Sequence, residues 1–155
     1  MGTLPRVVAA AGAVLCFYAI NAQAGALPAD LQKSLKPYSI KDATLDAGVL
    51  RITMDRPTVT RDMFYNIVSI GTCSPLWSDK RKAWGGANID RIEIRNAIKA
   101  QGFAFSGGRK ECAELGSVEG GDAAAKRYVE ARTLVCVAGG ECRPRRPGEV
   151  TAGDQ

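Results

Sequence analysis

Hydrophobic and polar residues alternate most regularly in two stretches of the chain. Over residues 49–55, Leu50, Ile52 and Met54 fall on one side and Arg51, Thr53 and Asp55 on the other; over residues 89–95, Ile92 and Ile94 oppose Arg91, Glu93 and Arg95. A period of two sends alternate side chains to opposite faces, so each stretch predicts a strand buried on one face only. Residues 102–106 repeat the pattern with Phe103 and Phe105, and the last two stretches predict an antiparallel pair.

Helical spacing takes over elsewhere. Leu27, Leu31 and Leu35 follow one another at four-residue steps, with Pro28 at the start and Pro37 beyond the end, which predicts a short helix over residues 27–35. A second helix is expected over residues 61–70. Thr60 is its N-cap, Asp62 lies in the first turn where a carboxylate favours the helix dipole, and Met63, Phe64, Ile67, Val68 and Ile70 are apolar. Gly71 suits a left-handed C-terminal position. Residues 72–88 lack periodicity and are expected as a loop, and a third short helix over residues 109–115 follows the Gly107-Gly108 turn and stops at Gly116.

The order helix, strand, helix, strand, strand, helix predicts an α+β fold: a small, mostly antiparallel sheet of about three strands, covered on one face by helices and stapled by disulfides. This domain is expected over residues 25–116. Residues 117–138 read as an appendage. Ala124, Tyr128, Ala131 and Val135 form a helical stripe within it, while residues 133–137 equally suit a β segment. From residue 139 to 155 the chain turns to Gly, Pro, Arg and Glu with few apolar residues, so a flexible basic tail carrying Arg143, Arg145 and Arg146 is expected.

The first 24 residues read as a secretory signal peptide. Arg6 forms a positive n-region, residues 7–20 are apolar but shorter than the ~20 residues of a membrane span, and Ala22-Gln23-Ala24 offers a small-x-small cleavage pattern. Cleavage after Ala24 gives an exported product, periplasmic in a double-membraned bacterium, with no transmembrane anchor. Removing the leader takes Cys16 and leaves Cys73, Cys112, Cys136 and Cys142. An even count in an oxidising compartment predicts two bridges, and Cys73–Cys112 with Cys136–Cys142 is the preferred pairing because Gly139-Gly140 can turn the chain between the second pair.

Composition then narrows the chemistry. The chain has no histidine, which removes the usual proton shuttle near neutral pH and the commonest metal ligand. A Ser-His-Asp triad is impossible, a cysteine nucleophile lacks both a base and a free thiol, and the mature chain holds no S-x-x-K, G-x-x-x-x-G-K or G-x-G-x-x-G motif. No cofactor, metal or nucleic-acid partner is implied. Asp90, Glu93 and Glu111 could pair as acid and base in a hydrolase of envelope polymers, although Glu93 between Arg91 and Arg95 fits a solvated charge ladder with Arg51 and Asp55 better.

The 72–88 loop is the most suggestive stretch. It sets Trp77 and Trp84 beside Lys80, Arg81 and Lys82, the composition of a recognition surface. A core position for the tryptophans, with the cations left in water, is the plainer alternative. The sequence thus points to a small exported, non-enzymatic protein that binds a protein partner in the cell envelope, of inhibitor or immunity type. A carboxylate-dependent hydrolase and a structural envelope subunit are the alternatives.

Overall fold

The computed structural model describes residues 26–154, so the signal peptide lies outside the described residues. Chain order runs α1 (Ala29–Leu35), β1 (Ile40–Asp46), β2 (Val49–Met54), α2 (Arg61–Asn66), a π-helical stretch (Ile67–Cys73), α3 (Ser74–Ser78), a 3-10 turn (Ala83–Gly86), β3 (Arg91–Arg95), β4 (Gln101–Ser106), α4 (Arg109–Leu115), α5 (Gly121–Glu130), β5 (Thr133–Val137) and a 3-10 turn (Ala152–Asp154). The fold is α+β, with a five-stranded sheet in the order β1-β2-β3-β4-β5.

That sheet corrects the expected one in number and in direction. It has five strands rather than about three, and it is mixed rather than mostly antiparallel, because β2 and β3 run parallel with Leu50 opposite Ile92 and Arg51 opposite Glu93. A parallel pairing needs a long crossover, and the helical rod from Arg61 to Ser78 provides it. The two additional strands are the edges: residues 133–137, which equally suit a β segment by sequence, form β5, and β1 has no counterpart in the expected order. β1 carries Lys41, Asp42, Thr44 and Asp46 among few apolar residues and pairs antiparallel with β2; β5 pairs antiparallel with β4.

The 117–138 segment is therefore no appendage. Its helix and its strand both form, in succession, and the strand completes the sheet. Leu50, Ile52, Met54, Ile92, Ile94, Phe103, Phe105 and Val135 are buried in a single core with Leu31, Leu35, Phe64, Ile67 and Leu76 of the helices. Among the described residues, the opposite face of the sheet has only a small apolar cluster at its β4–β5 end, around Ala104, Cys136 and Cys142.

The second helix starts as expected, with the Thr60 side chain accepting the Met63 N–H at 3.3 Å. It does not end at Gly71. A Cβ there would lie 3.0 Å from Leu35 and 3.1 Å from Tyr38, so the glycine serves close packing of α1 rather than a left-handed cap. The rod widens into π geometry, in which the Thr72 hydroxyl donates to the Ile67 carbonyl at 3.0 Å, and continues to Ser78 through the first part of the expected loop.

Two disulfides are present in the preferred pairing. Cys73–Cys112 fastens the rod to α4, and Cys136–Cys142 closes a short loop after β5. Beyond it, the segment expected as a flexible tail lies along the domain: Val135 and Arg143 exchange backbone hydrogen bonds of 2.7 and 2.9 Å, and Gly153 is buried against Phe103. The physical reason lies in charge rather than apolar area. Arg143 grips Glu149 through two bonds of 2.7 and 2.9 Å, Arg145 grips Asp154 at 2.8 and 2.9 Å, and Asp154 also pairs with Arg61.

Candidate functional site

The structure divides the expected recognition loop in two. Trp84 is fully buried, its indole N–H donating to the Thr72 carbonyl at 2.9 Å and its ring lying 5.2 Å beneath the Arg109 guanidinium. It belongs to the core. Trp77 remains 40% exposed, yet it is not loose: its indole N–H donates to the Cys112 carbonyl at 2.8 Å, and the ring rests where a side chain at Gly116 would stand. The Cys73–Cys112 bridge fixes both supports. Ile70, seven residues earlier on the rod, is also exposed.

Lys80, Arg81 and Lys82 follow directly. The Asp79 carboxylate accepts the N–H groups of Arg81 and Lys82 at 3.1 and 3.3 Å, and Arg109 donates to the carbonyls of Lys80 and Ala83 at 2.7 and 3.0 Å. The backbone is thus tied down from both sides. The three side chains are exposed and enter no ion pair among the described residues. An open cleft of about 520 Å³ between α1 and α3 borders Lys82. An exposed aromatic on a rigid seat beside unpaired cations can bury against a partner with little loss of side-chain freedom.

The three candidate carboxylates are engaged separately. Glu111 turns back on its own helix, accepting the Gly108 N–H at 2.8 Å, and that backbone bond holds its pKa below the usual range. Asp90 is exposed and accepts a bond from Asn88 at 2.8 Å. Glu93 corrects the expectation of a solvated position: it is 5% exposed, with Arg91 at 2.8 Å, Arg95 at 3.7 Å and Arg51 at 3.8 Å. Asp55 takes no part in this ladder. Among the described residues no set of His, Cys, Asp or Glu could hold a metal ion.

Sequence reasoning placed Arg51, Arg91 and Arg95 around Glu93 as a charge ladder, but it missed Lys99 and the cavity that Arg51, Arg95 and Lys99 share. That cavity, of about 320 Å³ on the helix-free face, has Glu93 at its floor and Gly139-Gly140 at its wall. The alternation in β2 and β3 was a usable signal for the arginines. The parallel register that puts Arg51 opposite Glu93, and the disulfide loop that walls the cavity, had no local signature. Of the arginines in the last segment, Arg143 and Arg145 are consumed by ion pairs, while Arg146 is exposed.

No protein-family model matches this chain, and no curated protein or solved structure resembles it significantly.

Proposed function

We propose that the mature chain, released after Ala24, is an exported, non-enzymatic binding protein whose Trp77 surface docks on an acidic protein of the cell envelope, in the manner of an inhibitor or immunity protein. The observation that carries this reading is the seated, 40% exposed indole of Trp77, followed closely in the chain by the exposed Lys80, Arg81 and Lys82. Tryptophan and basic side chains of this kind dominate interface energetics when the aromatic is central and the charges steer the encounter. Two disulfides point to a compartment outside the cytoplasm, and among the described residues no helix is long and apolar enough to cross a membrane. The hydrolase alternative has no comparable support, since Asp90, Glu93 and Glu111 each have a separate engagement.

The test is capture from the envelope fraction of the producing cells, comparing the mature protein with Trp77→Ala and with Lys80→Glu/Arg81→Glu/Lys82→Glu. A protein retained by the first, lost with both variants and released by salt supports the reading. Equal retention by all three, or turnover of an envelope polymer by the purified protein, overturns it.

A further inference from the structure

The helix-free face of the sheet holds a polar cavity whose donors are only partly used. Two rows of cross-strand neighbours build its floor: Thr44, Arg51 and Glu93 in one, Asp42, Thr53 and Arg95 in the next. Its wall is the Gly139-Gly140 turn, closed by the Cys136–Cys142 bridge. Lys99 lines it from the β3–β4 turn, where its backbone is left-handed (φ +58°) and its N–H donates to the Asn96 carbonyl at 2.8 Å.

Three arginines meet Glu93, and they are not equivalent. Arg91 makes the close contact at 2.8 Å. Arg95 is a fastener, donating to the carbonyls of Lys99, Val137 and Gly140 at 3.3, 3.1 and 3.0 Å and to the Cys142 sulfur at 3.4 Å. Arg51 is different. Its side chain is 47% exposed, its approach to Glu93 is 3.8 Å, longer than a hydrogen bond, and among the described residues its guanidinium donates no hydrogen bond. Neither the Lys99 ammonium nor the Thr44 and Thr53 hydroxyls have a side-chain partner among the described residues.

The charges around the cavity do not cancel. Arg51, Arg95 and Lys99 line it against Asp42 and Glu93, and Arg91 adds a further cation directly on Glu93. With Glu93 already paired with Arg91, the surplus positive charge falls on the two cavity-lining cations whose side-chain donors have no hydrogen-bond partner among the described residues, Arg51 and Lys99. A free guanidinium fork matches the two oxygens of a carboxylate or phosphate, and Asp42 with the two threonines can take hydroxyl groups on the same molecule. We propose that this cavity is a binding site for a small hydroxylated oxyanion, with Arg51 as its bidentate partner and Lys99 as the second cation. The site is independent of the Trp77 surface, sharing no residue with it.

Titration of the oxidised mature protein with glycerate, glycerol 3-phosphate and glycerol, followed by calorimetry and by the side-chain N–H resonances of Arg51, tests this. Saturable binding of either anion, weakened by salt and absent for glycerol, is expected; which anion binds assigns the site to carboxylates or to phosphate esters. Arg51→Gln should weaken that binding about tenfold or more, and Lys99→Gln should weaken it less. Both residues are exposed enough for the fold to survive, and Lys80→Gln on the other surface should leave affinity unchanged. No saturable binding of either anion, equal binding of glycerol, or undiminished binding by Arg51→Gln overturns the proposal.

Discussion

Arg61 at the start of α2 and Asp154 at the far end of the described chain stand 93 positions apart and form an ion pair. Arg145 grips the same carboxylate, and together these contacts hold its pKa well below the ordinary 3.8. Glu149 is held down to about 2 by Arg143 in the same way. A carboxylate whose folded pKa is depressed contributes stability that is complete above its ordinary value and lost as pH falls through the folded one. Acidification from about pH 4.5 toward 2 should therefore release residues 143–154 before the core opens. Protection of that segment's amides, relative to the intrinsic exchange rate at each pH, should fall across this window, and Asp154→Asn should lower it already at neutral pH. Equal protection at pH 7 and pH 2.5 would contradict the arrangement.

The two tryptophans should report opposite environments. Trp84→Ala removes a fully buried ring and leaves the Thr72 carbonyl without its donor, so it should cost about 3–5 kcal/mol in denaturant unfolding. Trp77→Ala removes a half-exposed ring and should cost about 1 kcal/mol. In Trp84→Phe the remaining indole should be readily quenched by acrylamide. In Trp77→Phe it should be shielded, and similar quenching in both would place Trp84 outside the core.

Much of this architecture is written locally in the chain. The alternation of Leu50, Ile52 and Met54, the Thr60 cap, and the even cysteine count each rest on neighbours a few residues away, and each appears in the structure as expected. What was hidden depends on distant partners. Gly71 looks like a helix stop until Leu35 and Tyr38 are packed on it, β1 is too polar to announce itself, and Glu93 reads as solvated because its burial comes from Arg91, Arg95 and Arg51 on two strands. The last segment misled for a related reason: arginine and proline suggest disorder by composition, but Arg143 and Arg145 have carboxylates in reach.

Loss of each disulfide should be felt unequally. Cys73–Cys112 closes a separation of 39 residues and Cys136–Cys142 one of 6, and the chain-entropy argument assigns them about 4 and about 2 kcal/mol. Cys73→Ser/Cys112→Ser should also loosen the Trp77 seat, because Cys112 supplies the carbonyl that the indole binds. Non-reducing mass analysis of exported protein should find no free thiol among the four cysteines. A free thiol in native material would remove the basis of this prediction.

A substitution at Gly116 isolates the indole from the rest of the fold. Its backbone is ordinary (φ −68°), so alanine is tolerated there conformationally, but the new Cβ would collide with the Trp77 ring. Gly116→Ala should therefore displace the ring with only a small loss of stability, and partner binding should fall as it does in Trp77→Ala. Unchanged partner affinity would mean that the position of the ring is immaterial.

The remaining prediction concerns the buried carboxylate on the helix-free face. Glu93 is 5% exposed and surrounded by Arg91, Arg95 and Arg51, so Glu93→Gln keeps the volume and removes the one carboxylate that, among the described residues, lies within 4 Å of them. The like charges left behind repel across β2 and β3, where Arg51 faces position 93 in the parallel register. Removing one partner of a buried pair typically costs about 3–5 kcal/mol, and the solvent exposure of Arg51 and Arg91 should reduce this to about 2 kcal/mol. If the cost arises from uncompensated charge, Glu93→Gln/Arg91→Gln should recover part of it, giving a favourable coupling in a double-mutant cycle. If instead the two single losses simply add, the contact between Arg91 and Glu93 contributes nothing specific, and the carboxylate serves only to fill space.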